Sequence, residues 1–491
     1  MIPDHRMNRA LKRTGLGLLA LLMNIGVGGG LRSAVGATKP NFVVFLADDH
    51  GGRDSAPYGS PDARTPNMAR LAEAGLTFTR AFVASPSCAP SRAAMLTGLM
   101  PARNGAEANH TFKRDDVDSL PEVLRKLGYQ TAAFGKVAHG NKDVARHGFD
   151  HFDADHRAET VARFLARRDR TRPICLFVGT HSPHVPWPDN QGYEPAKLTL
   201  PATSVDTPET RVQFARYLSA VTAADSDLGS IYDLANQTFE LAGTLFIYTS
   251  DHGAQWPFGK WNLYDSGIRV PLIAVWPGVI AAGSRTEAMV QWIDLLPTLI
   301  DLAGGEVPRG LDGRSFASVL RGTRAEHRTE IFTTHSGDGE MNVYPIRSLR
   351  TSDFHYILNR LPTHAHTTHI DRGAGSGDGW RYFDEWVAAA ATDPRAAARV
   401  NAYHRRPREE LYDLRADPAE IHNLADDPAQ ARRLARMRER LESWMTEQGD
   451  RQTVFQEPRL LPTPYPPRST ADGASAPVPK KKAQKAKKND E

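Results

Sequence analysis

Residues 41–47, Asn-Phe-Val-Val-Phe-Leu-Ala, are a nearly unbroken apolar run that stops at Asp48-Asp49-His50-Gly51. A strand apolar on both faces belongs in a sheet covered on both sides, the habit of parallel sheets. The pattern recurs. Residues 129–134 end in Gly135-Lys136, residues 173–179 in Thr180-His181-Ser182-Pro183-His184, and residues 244–249 in Ser250-Asp251-His252-Gly253. Residues 270–276 read as one more strand. Helix signals fall between them. Thr65-Pro66 starts a helix that Gly75 stops, Ser119-Leu120-Pro121-Glu122 has capping-box spacing, a long amphipathic helix covers 208–235, and a further helix covers 292–303. Strands alternating with helices predict an α/β fold with a large, doubly wound, mostly parallel sheet. Ligands in such sheets bind beyond the carboxyl ends of the strands, where all four polar clusters fall.

Ser87-Cys88-Ala89-Pro90-Ser91-Arg92 reads as a nucleophile turn opening an apolar helix that Gly98 ends. Free N–H groups and the helix dipole favour an anion there, and Arg92 one turn on adds a fixed positive charge. A lone cysteine is most often a small buried hydrophobe, but this context is that of a reactive group. Asp48, Asp49, Asp251 and His252 sit at two strand ends. Three carboxylates and an imidazole so placed suit a hard cation such as Ca²⁺ or Mg²⁺, although such Asp residues also cap turns.

At 491 residues the chain is long enough for a second domain. The alternation breaks near residue 330, and short strands at 331–334, 347–350 and 355–358 with a charged helix over 428–447 predict a smaller C-terminal α+β domain with an antiparallel sheet. The division expected is a leader over 1–37, a catalytic domain over 38–330, the smaller domain over 331–456 and a disordered Lys-rich tail over 457–491. The leader reading rests on Arg6, Arg9, Lys12 and Arg13 before the apolar run 16–27, and on Val35-Gly36-Ala37 as a cleavage site. That run is short for a membrane span, so export to the periplasm or outside the cell is expected, without stable membrane insertion. The net charge of +4 is slight and much of the excess lies in the tail, which argues against nucleic-acid binding across the body. Cys175 lies in an apolar strand and reads as a buried thiol, so no disulfide is expected.

Cys-x-Pro-Ser-Arg followed by Leu96-Thr97-Gly98 resembles the signature of the type I sulfatases of the alkaline-phosphatase superfamily. In that family the cysteine is oxidised by a dedicated generating enzyme or maturase to formylglycine, an aldehyde whose hydrate is the nucleophile. The resemblance implies one Ca²⁺, or Mg²⁺, held by Asp48, Asp49, Asp251, His252 and the modified Cys88. It also implies a cationic set of Arg92, Lys136, His139, His184 and Lys260 around the sulfate. Phe134-Gly135-Lys136-Val137-Ala138-His139 is similar to the family's Gly-Lys segment, and His181-Ser182-Pro183-His184 to its His-x-Pro-His segment. The implied reaction is covalent. One hydroxyl of the hydrate attacks sulfur, His184 or Lys260 protonates the departing atom, and loss of a proton from the second hydroxyl, to His139, expels sulfate.

Within the family the likeness is greatest to the heparan N-sulfatases, carried by residues 96–105, Asn262-Leu263-Tyr264 and residues 403–424. Lys260 stands where those enzymes carry Arg and His252 where they carry Asn. Both departures look more like O-sulfatases of the iduronate-2-sulfate or glucosamine-6-sulfate type. A phosphate or phosphonate monoester hydrolase shares the sheet and the metal carboxylates and mostly uses Thr, Ser or a formylglycine, but the sequence shows no second ligand set of the kind the phosphatases use, and a silent saccharide-binding member would not be expected to keep Cys88, Arg92, Lys136 and Lys260 together. The expected substrate is a sulfated saccharide. His181, and His369 and Arg372 in a His-, Gly- and Thr-rich stretch, are expected to read its sugar.

Overall fold

The computed structural model describes residues 39–372 and 380–461, so the expected leader lies outside the described residues. Nine strands build the larger sheet: β1 (Asn41–Ala47), β2 (Leu76–Phe82), β3 (Gln130–Gly135), β4 (His151–Asp153), β5 (Ile174–Gly179), β6 (Thr244–Ser250), β7 (Arg269–Val275), β8 (Ser284–Thr286) and β9 (Val290–Gln291). Their order is β4-β3-β5-β1-β6-β7-β2-β8, with β9 also on β2. Only β7 runs against the rest. β1 is central, with Val43 opposite Leu176 on one side and Phe246 on the other.

The period of two in a strand divides β1 between two cores. Phe42, Val44 and Leu46 pack with Met95, Leu96 and Leu299 from helices Cys88–Thr97 and Leu295–Leu302. Val43, Phe45 and Ala47 pack on the other face with Met68, Leu71, Leu228 and Ile231 from helices Pro66–Ala74 and Pro208–Thr238. Each fully buried side chain of this size stabilises by about 1.5–3 kcal/mol. That is why β1, β5 and β6 carry almost no polar residue before their last positions.

The capping box at Ser119 and Glu122 forms as the spacing predicts. Strand β2 was not legible as a strand. Its Leu-Thr-Phe-Thr-Arg-Ala-Phe alternates, and a register shift between Phe78 and Ala81 breaks its pairing with β7. Cys88 and Cys175 are both free and buried, and burial pushes the Cys175 thiol up.

The second sheet is antiparallel, in the order β10 (Ile331–His335), β11 (Ile346–Arg350), β12 (Phe354–Asn359), β13 (Glu409–Asp413). Helix Ala431–Glu447 covers it with Leu434, Leu441 and Trp444, whose ring stacks on Phe332 at 4.5 Å. Besides the short helix His369–Arg372, the helices Trp380–Ala389 and Pro394–His404 lie between β12 and β13. The sequence reading lacked both, although Asp393-Pro394 is a start signal that caps the second. Residues 457–461 of the expected tail belong to the described structure. Ala365 donates to the Arg459 carbonyl and Leu461 to that of Thr363, so the chain is held through Leu461, and the rest lies outside the described residues. No described helix is long and apolar enough to cross a membrane.

Candidate active site

Strands β3, β5, β1 and β6 are neighbours, and their carboxyl ends deliver Lys136, His181 to His184, Asp48-Asp49 and Asp251-His252 side by side. The turns are lashed together by main-chain bonds: Lys136 N–H to Gly179 (2.9 Å), Thr180 N–H to Leu46 (3.0 Å) and Asp48 N–H to Ser182 (3.1 Å). The crossing of the β3 and β5 ends requires glycine. A Cβ on Gly135, at φ +67°, would lie 2.1 Å from the Gly179 carbonyl oxygen. Asp49 itself adopts φ +66°, a conformation that costs a non-glycine residue and recurs at functional sites.

Cys88 is the first residue of its helix, with Ser87 as N-cap. The Ser91 hydroxyl donates to the Asp251 carbonyl (2.6 Å) and the Trp261 N–H to that of Pro86 (2.8 Å), which fixes the helix start against β6 and the Lys260 loop. Arg92, fully buried, holds two carboxylates. Its Nη2 lies 3.1 Å from Asp48 Oδ1 and 2.9 Å from Asp251 Oδ2, and its Nη1 donates to the Lys136 carbonyl. Lys136 Nζ donates to Asp48 Oδ2 (2.5 Å) and lies 3.7 Å from Cys88 Sγ. Lys260 Nζ contacts both Asp49 oxygens, at 2.9 and 2.8 Å. His252 Nε2 lies 3.3 Å from Cys88 Sγ and 3.4 Å from Asp49 Oδ1.

The electrostatics follow from these contacts. Burial alone would raise the Asp48 carboxyl, but Lys136, His184 and Arg92 hold it well below the usual carboxylate range. Burial would likewise raise the Cys88 thiol, and Lys136 and Lys260 outweigh it, so the site stabilises an anion at residue 88. Asp251 has less compensation, and burial pushes it up to about 8 against the pull of Arg92 and His252. His252 goes up to about 9, because Asp251, Cys88 and Asp49 overcome its burial. A carboxylate and an imidazole both shifted upward in one dry cluster mark a place that a cation would also suit. Asp49, Cys88, Asp251 and His252 each offer an atom within 4.8 Å of the others, a set that fits one divalent ion.

The other expected residues lie around this centre. His184 Nε2 is 3.9 Å from Asp49 Oδ2. His181 is exposed, and its partial burial lowers its pKa. His139 does not join the carboxylates. Its Nε2 lies 2.7 Å from His110 Nδ1. His369 stacks on Trp261 with ring centroids 4.9 Å apart, and Lys260 Nζ lies 5.1 Å from the Trp261 ring centroid. Arg372 ends the short helix His369–Arg372, and among the described residues no hydrogen bond links its side chain to the cluster. Sequence reasoning missed Asn109, His110, Trp261 and Asp338. Asp338 accepts from Asn109 Nδ2 (3.0 Å) and Trp261 Nε1 (2.7 Å) and lies three residues past the end of β10. The strand-end signal that exposed the other carboxylates was therefore present there too.

A rim-borne nucleophile turn flanked by Arg92, Lys136, Lys260 and a carboxylate cluster is equipped for hydrolysis at an anionic centre. The chain belongs to the sulfatase family, hydrolases of sulfate esters and sulfamates: the family model described as Sulfatase matches residues 40–162 and 155–305. A second model, described as N-sulphoglucosamine sulphohydrolase, C-terminal, matches residues 251–365. An ulvan-active sulfatase of Formosa agariphila is 30% identical over 476 residues, covering 93% of this chain and 90% of that one. The human N-sulphoglucosamine sulphohydrolase is 29% identical, covering 84% and 91%. Among solved structures, one determined in complex with its substrate D-glucosamine-2-N,6-O-disulfate superposes with a TM-score of 0.64 at 22% identity, covering 85% of this chain and all of that one. A phosphonate monoester hydrolase from Silicibacter pomeroyi superposes at 0.63 with 20% identity, covering 84% and 96%, so the fold is shared across both chemistries.

Proposed function

We propose that this chain is an exported sulfatase of sulfated saccharides that removes the N-linked sulfate of glucosamine in heparan-type chains. The observation that carries the substrate is the match of residues 251–365 to the C-terminal model of N-sulphoglucosamine sulphohydrolase, in a segment that includes Lys260, Trp261 and Asp338. The second reading, a carbohydrate O-sulfatase, is favoured by Lys260 and His252.

A divalent cation, Ca²⁺ or Mg²⁺, would be held by Asp48, Asp49, Asp251, His252 and an oxygen on residue 88, and would supply positive charge to a sulfate oxygen and to the nucleophile. Formylglycine made from Cys88 supplies, as its hydrate, one hydroxyl to attack sulfur and another to expel sulfate. The rest is done by side chains. Arg92 holds Asp48 and Asp251 in place and keeps the helix start positive. Lys136, beside residue 88, favours its ionised form. Lys260, nearly wholly buried, supplies a fixed charge where negative charge grows on the bridging atom, and such charge acts strongly in a dry pocket. His184 or Lys260 protonates the departing atom, and His139 takes the last proton.

The test is sulfate release, side by side, from N-sulfoglucosamine and from 6-O-sulfated N-acetylglucosamine, with conversion of residue 88 verified by peptide mass. Release from the first alone is expected; release from the second alone would make the enzyme an O-sulfatase. Export is tested by the amino-terminal sequence of the mature protein, expected near Thr38.

A further inference from the structure

The proton that His139 accepts in the reading above must leave before the next turnover, and the structure contains a path for it. His139 Nε2 lies 2.7 Å from His110 Nδ1, with the two ring centroids 4.6 Å apart. His110 Nε2 lies 3.2 Å from Asp338 Oδ1. A neutral imidazole has one donor and one acceptor nitrogen. With Asp338 accepting from Nε2, His110 offers Nδ1 as the acceptor that faces His139. The His110 side chain is 64% exposed, whereas Asp338 is 4% exposed. The outer ring therefore stands in solvent while the carboxylate that would balance its charge is buried and fixed.

The fixing is extensive. Asp338 Oδ2 accepts from Asn109 Nδ2 and from Trp261 Nε1. Asn109 in turn accepts from the Ala89 N–H at 3.1 Å, beside residue 88, and its own N–H donates to the Gly337 carbonyl at 3.0 Å. His110 sits at φ +64°, a left-handed conformation rare for a residue with a side chain. The charged groups facing it are Asp338, Cys88 and Lys260. The hydrogen bond to Asp338 raises its pKa above the ordinary imidazole value, against its burial and the charge of Lys260.

We infer that His110 is the proton relay of this site and Asp338 its positioning residue. The inference rests on the sulfatase reading and on His139 as the accepting base. In the step, the Nε2–H bond of His139 imidazolium breaks and the Nδ1–H bond of His110 forms. Asp338 holds the resulting imidazolium, and water then removes one proton from it. No electrons are exchanged and no other reactant is consumed.

The test uses the full chain with residue 88 converted, and the variant His110→Asn, because Asn tolerates the left-handed backbone best among residues with side chains. Sulfate release is measured in weak buffer against added imidazole. The expected result is a kcat lowered by about tenfold or more, a KM within about twofold of the parent, and a kcat that climbs back as imidazole is added. The parent enzyme is expected to show no such climb. His110→Gly, which opens space for imidazole and also accepts this backbone, should recover further. A loss that imidazole does not relieve in either variant, a change confined to KM, or no loss at all would overturn the relay. If the parent enzyme itself released no sulfate from any sulfated sugar, the sulfatase reading would fall, and the relay with it.

Discussion

Two clusters of buried charge share the segment between Asp251 and Asp265, and they are built on opposite plans. In one, Asp265 Oδ1 accepts from Arg350 Nε (2.8 Å) and Oδ2 from Nη2 (3.2 Å), while Glu420 pairs with His355 and accepts from the Asp265 N–H. Each charge there has a side-chain counterpart, although burial raises the Glu420 carboxyl against the pull of His355. Although burial opposes it, Arg350 and Arg269 hold Asp265 far below the usual carboxylate range. In the other cluster Asp48, Asp49 and Asp251 face Arg92, Lys136 and Lys260, yet Asp251 stays up at about 8 and His252 at about 9. Both clusters offer three or more ligand atoms close enough for a metal. The difference is compensation. The matched cluster ties the second sheet to the first, and the under-compensated one beside residue 88 is poised for ligands from outside.

The comparison breaks most sharply at residue 88. Cys88→Ala should abolish sulfate release, by at least about a thousandfold, with little change in unfolding temperature, since Lys136, Lys260 and His252 keep their carboxylate partners Asp48, Asp49 and Asp251. Arg350→Ala should do the reverse. Removing one member of a buried, forked pair leaves Asp265 only the longer 3.6 Å contact to Arg269 and should cost about 3–5 kcal/mol of stability, read by denaturant unfolding, while the enzyme that remains folded keeps its turnover.

Stability against pH sharpens the contrast, because Asp251 and His252 act with the opposite sign to Asp265. Asp251 and His252 bind protons more tightly folded than unfolded. Their contribution is fully present at low pH and is lost as pH rises through about 8 and about 9. Asp265, with its lowered value, contributes above the unfolded carboxylate range and is lost as pH falls below it. Unfolding temperature of chelator-treated protein should therefore slope downward between about pH 6 and pH 9, and added Ca²⁺ should flatten that slope by releasing the held protons. A slope unchanged by Ca²⁺ would remove the cation from the account.

The smallest effect is expected at the rim. His369 reaches the cluster through its stack on Trp261 and a 4.0 Å approach of its Nδ1 to Asp338 Oδ2. His369→Ala should lower turnover of a sulfated sugar by about threefold to tenfold and leave a small aryl sulfate almost unaffected. Equal losses on both would deny it a role in reading the sugar.

The legibility of the molecule divides along the same line. Strands β1, β3, β5 and β6 are doubly buried, so their sequences are apolar until they end, and the first polar residues past each end mark the rim. Asp48, Asp49, Lys136, His184, Asp251 and His252 were visible for that reason, and Cys88 and Arg92 through their turn. The partners from elsewhere were not. Trp261 and Asn109 lie in loops with no periodic neighbours, and His110 is joined to His139 only by folding. Asp338 follows a strand of the second sheet, 87 positions after Asp251 in the chain, so nothing local connects it with Cys88. The stretch holding His364, His366 and His369 looked like one cluster and is divided by the fold. His366 is buried among Asn342, Tyr344, Tyr403 and Arg406, His364 pairs with the end of the described chain at Leu460, and His369 alone reaches Trp261.

The central claim is that residue 88 acts as an aldehyde within the under-compensated cluster. The most direct measurement prepares the protein with graded conversion of Cys88, determines the converted fraction by peptide mass, and records sulfate released per mole of chain for each preparation. The account predicts a straight line through the origin, with turnover proportional to aldehyde. Sulfate release from preparations whose Cys88 is wholly an intact thiol would contradict it.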